Sequence, residues 1–85
     1  MTSTEKLQRV AEIIARVADD TSVPRNIRRA ANEARETLLK GEGDPVVRAA
    51  SAISILDEIS NDPNMPVHAR TTIWNALSIL ETIHE

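Results

Sequence analysis

The sequence predicts an all-α protein, an antiparallel up-down-up-down bundle of four helices built from two similar helical hairpins. Pro24, Pro45 and Pro66 are evenly spaced, three heptads apart, and each introduces a run of helix-favouring residues. Because proline lacks an amide hydrogen and has a fixed φ, it fits the first turn of a helix, so the three prolines predict three helix starts. Apolar residues recur at spacings of three and four, and no alternating strand pattern competes with them.

The first predicted helix runs from about Thr4 to Asp19 and carries one apolar stripe at helical spacing. Ser3 or Thr4 is expected to cap its start, since a hydroxyl at this point accepts a free amide hydrogen of the first turn. The stripe consists of Leu7, Val10, Ile14 and Val17.

The second predicted helix runs from about Val23 to Lys40. Its apolar stripe is largely alanine, which allows a neighbouring helix to approach closely. Gly41 and Gly43 are expected to end it, because glycine commonly takes positive φ after a helix. The stripe consists of Ile27, Ala31, Ala34 and Leu38.

The third predicted helix opens at Asp44 and Pro45, a capping residue followed by proline, and continues to about Ser60. Its apolar positions cover more than half of the helical circumference, which indicates a central helix or one that contacts a second chain. They are Val46, Val47, Ala49, Ala50, Ala52, Ile53, Ile55, Leu56 and Ile59.

The fourth predicted helix starts near Asn64 to Pro66 and reaches about His84. Its inward positions are Ala69, Ile73, Ala76, Leu77, Leu80 and Ile83. No apolar run in the chain approaches the roughly 20 residues of a membrane span, so we expect no membrane association.

Within one predicted domain of residues 1–85, a hairpin of about 3–41 is followed by a similar one of about 44–85, and one constant offset in residue number aligns the two. The identical pairs are Ile13/Ile55, Asp20/Asp62, Pro24/Pro66, Arg28/Arg70, Ala34/Ala76 and Leu38/Leu80. Short connections make neighbouring helices antiparallel and favour a four-helix bundle. Two stacked HEAT-like hairpins are the alternative, because the segment 44–50 looks like the helix openings of such repeats.

Composition and charge limit the possible functions. The chain has no cysteine, which excludes a disulfide framework, a thiolate metal site and thiol catalysis. Its N-terminus lacks the apolar core of a signal peptide, so we expect a cytoplasmic protein. Residues 1–40 carry eight Lys/Arg against six Asp/Glu (+2), and residues 41–85 carry two against seven (−5), which gives the net charge of −3. Such asymmetry can steer a charged partner, or it can attract the two halves to one another and to a second copy, and we favour the second interpretation.

Both hairpin turns have an aspartate four residues before the proline and an arginine four residues after it. Asp20 and Arg28 form the first pair, and Asp62 and Arg70 form the second. An aspartate at a helix entrance accepts backbone amides, and an arginine one turn into the helix can reach back to it. We interpret the four residues as structural turn clamps, because a binding site would rarely be needed twice in this form.

The only concentration of basic residues lies in the second helix and consists of Arg25, Arg28, Arg29 and Arg35. A nucleic-acid or anion contact there is weakly supported, because the chain is acidic, with a pI near 5.3, and has no aromatic residue nearby for base stacking. The acids expected to balance these cations are Asp19 and Asp20, or Asp57 and Glu58.

Trp74 is the only aromatic residue, and helical phase places it on a flank of the fourth helix beside Val67 and Arg70. It can cover the edge of the core with its indole N–H in water, or it can anchor an interface. Its counterpart in the first hairpin is Asn32, so its role is not shared by both hairpins. With Val47 of the third helix, Trp74, Val67 and Arg70 form the candidate interaction surface.

No residue pattern predicts catalysis. His68 and His84 lie several helical turns apart on one predicted helix, too far to share a metal, and no Glu-x-x-His pairing occurs. The chain also lacks a phosphate loop, a dinucleotide fingerprint and a nucleophile elbow. We therefore expect no enzyme activity, metal, cofactor or small-molecule substrate, and both histidines in solvent.

The segments Ser22–Ala31, Leu56–Pro66 and His68–Trp74 resemble those of the small archaeal proteins of uncharacterised protein family 0147. The resemblance covers most of the chain. It implies an archaeal, all-helical, cytoplasmic protein, and it supplies no activity, substrate or catalytic residue.

Two functions are open at this point. The favoured one is a non-enzymatic helical protein-interaction module, which self-associates or docks on another protein through the apolar face of the third helix and the flank of Trp74. The alternative is an accessory nucleic-acid or ribonucleoprotein binder that uses the arginines of the second helix, and its binding would be salt-sensitive.

Overall fold

Four α-helices joined by short turns make up the computed structural model, which describes residues 2–84. The helices are α1 (Ser3–Ala18), α2 (Arg25–Lys40), α3 (Pro45–Ser60) and α4 (Val67–Leu80). No strand occurs in this part of the chain. The prediction of an all-α fold with four helices is confirmed.

The helices are arranged as an up-down-up-down bundle. Each helix packs on the next one in the chain, and α4 closes the ring against α1. Helices α1 and α3 also approach each other across the centre, whereas α2 and α4 make no close backbone contact anywhere in residues 2–84. Because stacked HEAT-like hairpins would place α2 beside α4, the helix contacts favour the bundle over that alternative.

The offset that aligns the two hairpins in sequence also relates the helix bounds. Helix α3 reproduces both ends of α1 at this offset, and α4 reproduces the start of α2. The N-caps of α1 and α3, Thr2 and Asp44, are separated by the same offset. We call two positions related by this offset repeat-equivalent.

The core is aliphatic, and no polar or charged residue among residues 2–84 is buried. Its largest fully buried side chains are Leu7, Val10, Ile14, Val23, Ile27, Leu38, Leu56, Ile73 and Leu80. Ala31 and Ala34 of α2 are also completely buried, so α2 approaches its neighbours through small side chains. Burying each large aliphatic side chain stabilises the fold by about 1.5–3 kcal/mol relative to leaving it exposed.

Helices α2 and α4 begin one residue after their prolines, later than the starts predicted at Val23 and near Asn64 to Pro66. Pro24 and Pro66 are N-cap residues with extended ψ values of 147° and 150°. The residue before a proline is pushed out of the α region, so Val23 cannot begin the helix. Pro45, in contrast, lies within the first turn of α3 as predicted.

Thr2 caps α1, so the prediction of Ser3 or Thr4 as the cap is wrong by one or two residues. Thr2 Oγ1 accepts the Glu5 amide at 3.1 Å, and the Glu5 carboxylate accepts the Thr2 amide at 3.3 Å. This reciprocal pair is a capping box. The hydrogen bonds from Thr2 hold the pKa of Glu5 below its usual value.

Helix α4 ends at Leu80, before the predicted end at His84. The amides of Thr82 and Ile83 donate to carbonyls three residues back. Such bonds form a tighter turn than the α-helix, so the α-helix does not continue. Ile83 is nevertheless buried, and Lys6 Nζ donates to Thr82 Oγ1 at 3.0 Å. The segment after α4 is therefore fastened to α1 without being helical.

The two glycines after α2 have different roles. Gly43 has a φ of 97°, whereas Gly41 has a φ of −66°, so the expectation of positive φ is wrong for Gly41. A Cβ at Gly41 would collide with the Thr37 carbonyl oxygen. Gly41 is thus required for space and Gly43 for its backbone conformation.

Candidate functional site

The turns at 19–24 and 61–66 lie at one end of the bundle, and two polar pairs connect the hairpins there. Asp20 Oδ2 lies 2.8 Å from Nε2 of His68, at the start of α4. Asp62 Oδ2 accepts the Asn26 side-chain amide, at the start of α2, at 3.0 Å. The two pairs are repeat-equivalent, so the aspartate of each hairpin holds the first turn of the other hairpin's second helix.

Each of these aspartates also organises its own turn. Asp20 Oδ1 accepts the Ser22 amide at 2.9 Å and the Ser22 hydroxyl at 2.6 Å, while Asp62 Oδ1 accepts the Asn64 amide at 2.8 Å. These are Asx turns, in which the carboxylate replaces a backbone acceptor. The Ser22 hydroxyl, followed by His68 and the Ser22 amide, lowers the pKa of Asp20 from 3.8 to about 2.

The two clamp arginines contact backbone carbonyls and not the aspartate carboxylates. Arg28 Nε donates to the Val23 carbonyl at 2.9 Å. Arg70 donates to the carbonyls of Ser60 at 2.7 Å and Asp62 at 3.2 Å. The prediction that each arginine binds its aspartate side chain is therefore wrong, because the acceptors are backbone carbonyls. Arg70 thus ties α4 to the Ser60 carbonyl, which the end of α3 leaves without an intrahelical donor, and to the turn that follows.

The expectation that His68 is solvated is also wrong in one respect. Its side chain is 61% exposed, yet Nε2 is held by Asp20, which lies in the turn of the other hairpin. One sequence signal points to the pairing, since Asn26 and His68 are repeat-equivalent polar residues placed two positions after Pro24 and Pro66.

The arginines of α2 do not form one patch. Arg25 and Arg29 are exposed, and neither forms an ion pair with any residue of 2–84. Arg28 is engaged in its turn, while half-buried Arg35 donates to Asn32 Oδ1 at 2.8 Å and lies 3.7 Å from the Glu36 carboxylate.

The acids expected to balance these cations do not do so. Asp20 pairs with His68, and no ion pair within the described chain uses Asp19, Asp57 or Glu58. Arg25 and Arg29 therefore lie at the start of α2 without a direct ion pair, although cations at this end oppose the helix macrodipole. Glu33 and Glu58 line the same groove as Arg29.

The outer side of α4 carries an uncharged row of exposed residues, here called the α4 stripe: Val67, Thr71, Trp74 and Ser78. Spacings of four, three and four place them on one side of the helix. Trp74 is 55% exposed and Val67 is 79% exposed. The repeat-equivalent residues of α2 are Arg25, Arg29, Asn32 and Glu36, so the same row of the first hairpin is charged.

A second row, the α3 stripe, lies beside it: Val46, Ala50, Ile53 and Asp57. Ile55 and Ile59 of α3 line the groove between α2 and α3. Ile53 lies on the opposite flank of α3, and this flank therefore faces α4. On α4, Arg70 binds the end of α3, and Trp74 follows one turn later on the same flank. Helical phase thus places the two stripes on the same side of the neighbouring helices α3 and α4, and together they are called the docking face.

Two members of the predicted interaction surface lie outside the docking face. The Arg70 guanidinium is engaged by the turn carbonyls. Val47 is 50% exposed, but it follows Val46 directly in α3. Because adjacent residues of a helix do not share a face, Val47 lies off the α3 stripe.

Two open grooves of about 340 Å³ each lie between α1 and α2 and between α2 and α3. The first is lined by Gln8, Ala11, Glu12, Ala15, Arg35 and Leu39. Within the part of the chain that the structure describes, no three His, Cys, Asp or Glu residues are grouped so that they could hold a metal ion. None of the helices described is long and apolar enough to cross a membrane.

Comparisons with known proteins give one consistent family. The model of Uncharacterised protein family (UPF0147) matches residues 1–83. A UPF0147 protein of Methanothermobacter thermautotrophicus is 58% identical over 83 residues, which cover 98% of this chain and 81% of that protein. A UPF0147 protein of Methanocaldococcus jannaschii is 55% identical over 82 residues, 96% of this chain and 88% of that protein.

Solved structures with the same fold are also similar in sequence. The crystal structure of the unknown-function protein MMP1188 matches with a TM-score of 0.89 and 49% identity, over 94% of this chain and 91% of that chain. The crystal structure of a protein from uncharacterised family UPF0147 of Thermoplasma acidophilum matches with a TM-score of 0.85 and 31% identity, over 94% of both chains.

Proposed function

The chain belongs to uncharacterised protein family UPF0147, and we propose that it is a non-enzymatic, cytoplasmic protein-interaction module that binds its partner through the docking face. The observation that carries this proposal is the uncharged, exposed α4 stripe around Trp74. Tryptophan is enriched among residues that dominate binding energy, and charged residues are depleted at interface centres.

The internal repeat supports this interpretation. Positions 67, 71 and 78 of α4 are Val, Thr and Ser, whereas the repeat-equivalent positions of α2 are Arg25, Arg29 and Glu36. The same place in the same kind of hairpin therefore tolerates charge. The fold does not require the α4 stripe to be uncharged, so a bound partner is the simplest reason for it.

Affinity capture with matched variants tests the proposal. The Trp74→Ala and Val67→Ser double variant should fold normally, because both side chains are more than half exposed, but it should lose the proteins that the wild-type chain captures. Asn32→Ala, at the position repeat-equivalent to Trp74, is the control and should retain them. The proposal fails if all three chains capture the same proteins and the wild type sediments as a monomer.

A second candidate function is binding of nucleic acid through Arg25 and Arg29, and one observation favours it. Both side chains are exposed one helical turn apart, and neither forms an ion pair within residues 2–84. For single-stranded RNA, each phosphate contacted contributes a slope of about −0.7 in log K against log salt. Arg25→Gln with Arg29→Gln should reduce that slope, and no binding at low salt would exclude this function.

A further inference from the structure

We propose that the partner bound by the docking face is a basic amphipathic helix, which packs aliphatic side chains on the centre of the face and places Lys or Arg near the acids at its two ends. This proposal rests on the protein-interaction function proposed above and specifies the partner of the same surface.

The centre of the docking face is apolar and uncharged. Ile53 is half-buried on the α3 stripe, Ala50 is exposed beside it, and Trp74 stands on the facing flank of α4. Two antiparallel helices leave a groove between their ridges that a third helix can fill. An amphipathic helix binds such a groove through residues spaced three and four apart on its apolar face.

Each end of the docking face carries one exposed carboxylate. Asp57 is exposed one turn after Ile53, and Glu81 is exposed two turns after Trp74. Because α3 and α4 run in opposite directions, these carboxylates lie toward opposite ends of the docking face. Neither forms an ion pair within residues 2–84, so both remain available to cations of a partner.

The charge also argues against a second copy of this chain as the occupant. Residues 41–85 carry a net charge of −5, from two Lys/Arg against seven Asp/Glu, so two docking faces packed together would bring like charges into one interface. The first hairpin is not a uniformly basic counterpart either, since its outer surface mixes Arg9 and Arg16 with Glu5 and Glu12. A separate basic helix satisfies both the apolar centre and the acidic ends.

Synthetic peptides long enough for about five helical turns test the proposal directly. The probe carries a leucine stripe flanked by lysine, one control replaces every lysine with glutamate, and a second control scrambles the probe so that it has no apolar face. Since Trp74 is the only aromatic residue of the chain, its emission reports contact with the docking face. The lysine probe should shift that emission to shorter wavelength and bind at least about tenfold more tightly than either control, and added salt should weaken it.

Charge variants localise the binding. Asp57→Asn with Glu81→Gln should weaken the probe about fivefold at low salt, as expected for the loss of two partly exposed ion pairs. Glu12→Gln with Glu33→Gln removes the same two charges from the first hairpin and should change the affinity by less than about twofold.

Three results would overturn the basic-helix proposal: equal binding of the lysine and glutamate peptides, equal binding of the scrambled peptide, or full affinity in the Asp57 and Glu81 variant. Sedimentation separates this failure from failure of the proposed function. A dimer that Trp74→Ala dissociates and that does not bind the peptides would refute the basic helix and keep the interaction function. A monomer that binds no peptide and captures the same proteins with or without Trp74 would refute both.

Discussion

Asp20 and His68 join the two hairpins through a contact of 2.8 Å between Oδ2 and Nε2, and Asp62 and Asn26 make the repeat-equivalent contact at 3.0 Å. The two aspartates are identical, and their partners differ. One pair has an imidazole where the other has an amide, so the two hairpins share the geometry of the contact and differ in its chemistry.

Asp20 should make the stability of the protein depend on pH in the acid range. Its pKa is lowered from 3.8 to about 2, first by the Ser22 hydroxyl and then by His68. A carboxyl group with a depressed folded pKa stabilises the fold above its unfolded pKa, and this contribution is lost as the pH falls toward the folded pKa. The free energy of unfolding in urea should therefore decrease between about pH 4 and pH 2, and Asp20→Asn should remove that part of the decrease.

Ser22→Ala is the control for this assignment, because it removes the donor with the largest effect on Asp20. The pKa of Asp20, followed by NMR of its carboxyl carbon, should rise toward 3.8 in this variant. An unchanged value of about 2 would show that another group lowers it.

His68→Asn should preserve much of the contact that His68→Ala removes. Asn26 shows that an amide at the repeat-equivalent position reaches its aspartate at 3.0 Å, so an asparagine can donate to Asp20 in the same way. Thermal unfolding at neutral pH should place the melting temperature of His68→Asn between those of His68→Ala and the wild type. Equal melting temperatures for the two variants would mean that asparagine does not replace the contact, and equal values for His68→Ala and the wild type would mean that the contact does not stabilise the fold.

Arg70→Ala should destabilise the protein more than the loss of an exposed arginine does. Arg70 donates to two carbonyls, of Ser60 and Asp62, and hydrogen bonds that involve a charged group contribute about 1.5–3 kcal/mol. Arg25→Ala is the control, because Arg25 is exposed, and it should change the free energy of unfolding by less than about 0.5 kcal/mol. Similar losses for both variants in urea unfolding would contradict the role given to Arg70.

Much of the fold could be predicted from the sequence, because its signals are local and periodic. The even proline spacing and the offset between the hairpins predicted the number and order of the helices, and the structure has them in that order. The helix ends were less predictable. The start of α2 depends on Pro24 remaining extended, and the end of α4 depends on tight bonds made by Thr82 and Ile83 beyond the apolar stripe.

The candidate site was only partly predictable for a different physical reason. Helical phase placed Trp74 and Val67 on one flank of α4, since that depends only on spacing within one helix. The contact between Asp20 and His68 joins residues far apart in the chain and depends on two turns lying side by side. Whether Arg70 binds a carboxylate or nearby carbonyls also depends on distances in the folded turn, which spacing along the sequence does not give.

Ile14→Ala and Leu56→Ala should destabilise the protein by similar amounts, because the two residues are repeat-equivalent and both are completely buried. Removing a large aliphatic side chain from a packed core leaves a cavity and costs about 2–5 kcal/mol. Ile55→Ala, at a half-buried position of α3, should cost less than either. Urea unfolding should show one transition in each variant, since both hairpins contribute to a single core. A large loss for one of the two buried positions alone would mean that the hairpins do not share the core equally, and a second transition would mean that one hairpin unfolds without the other.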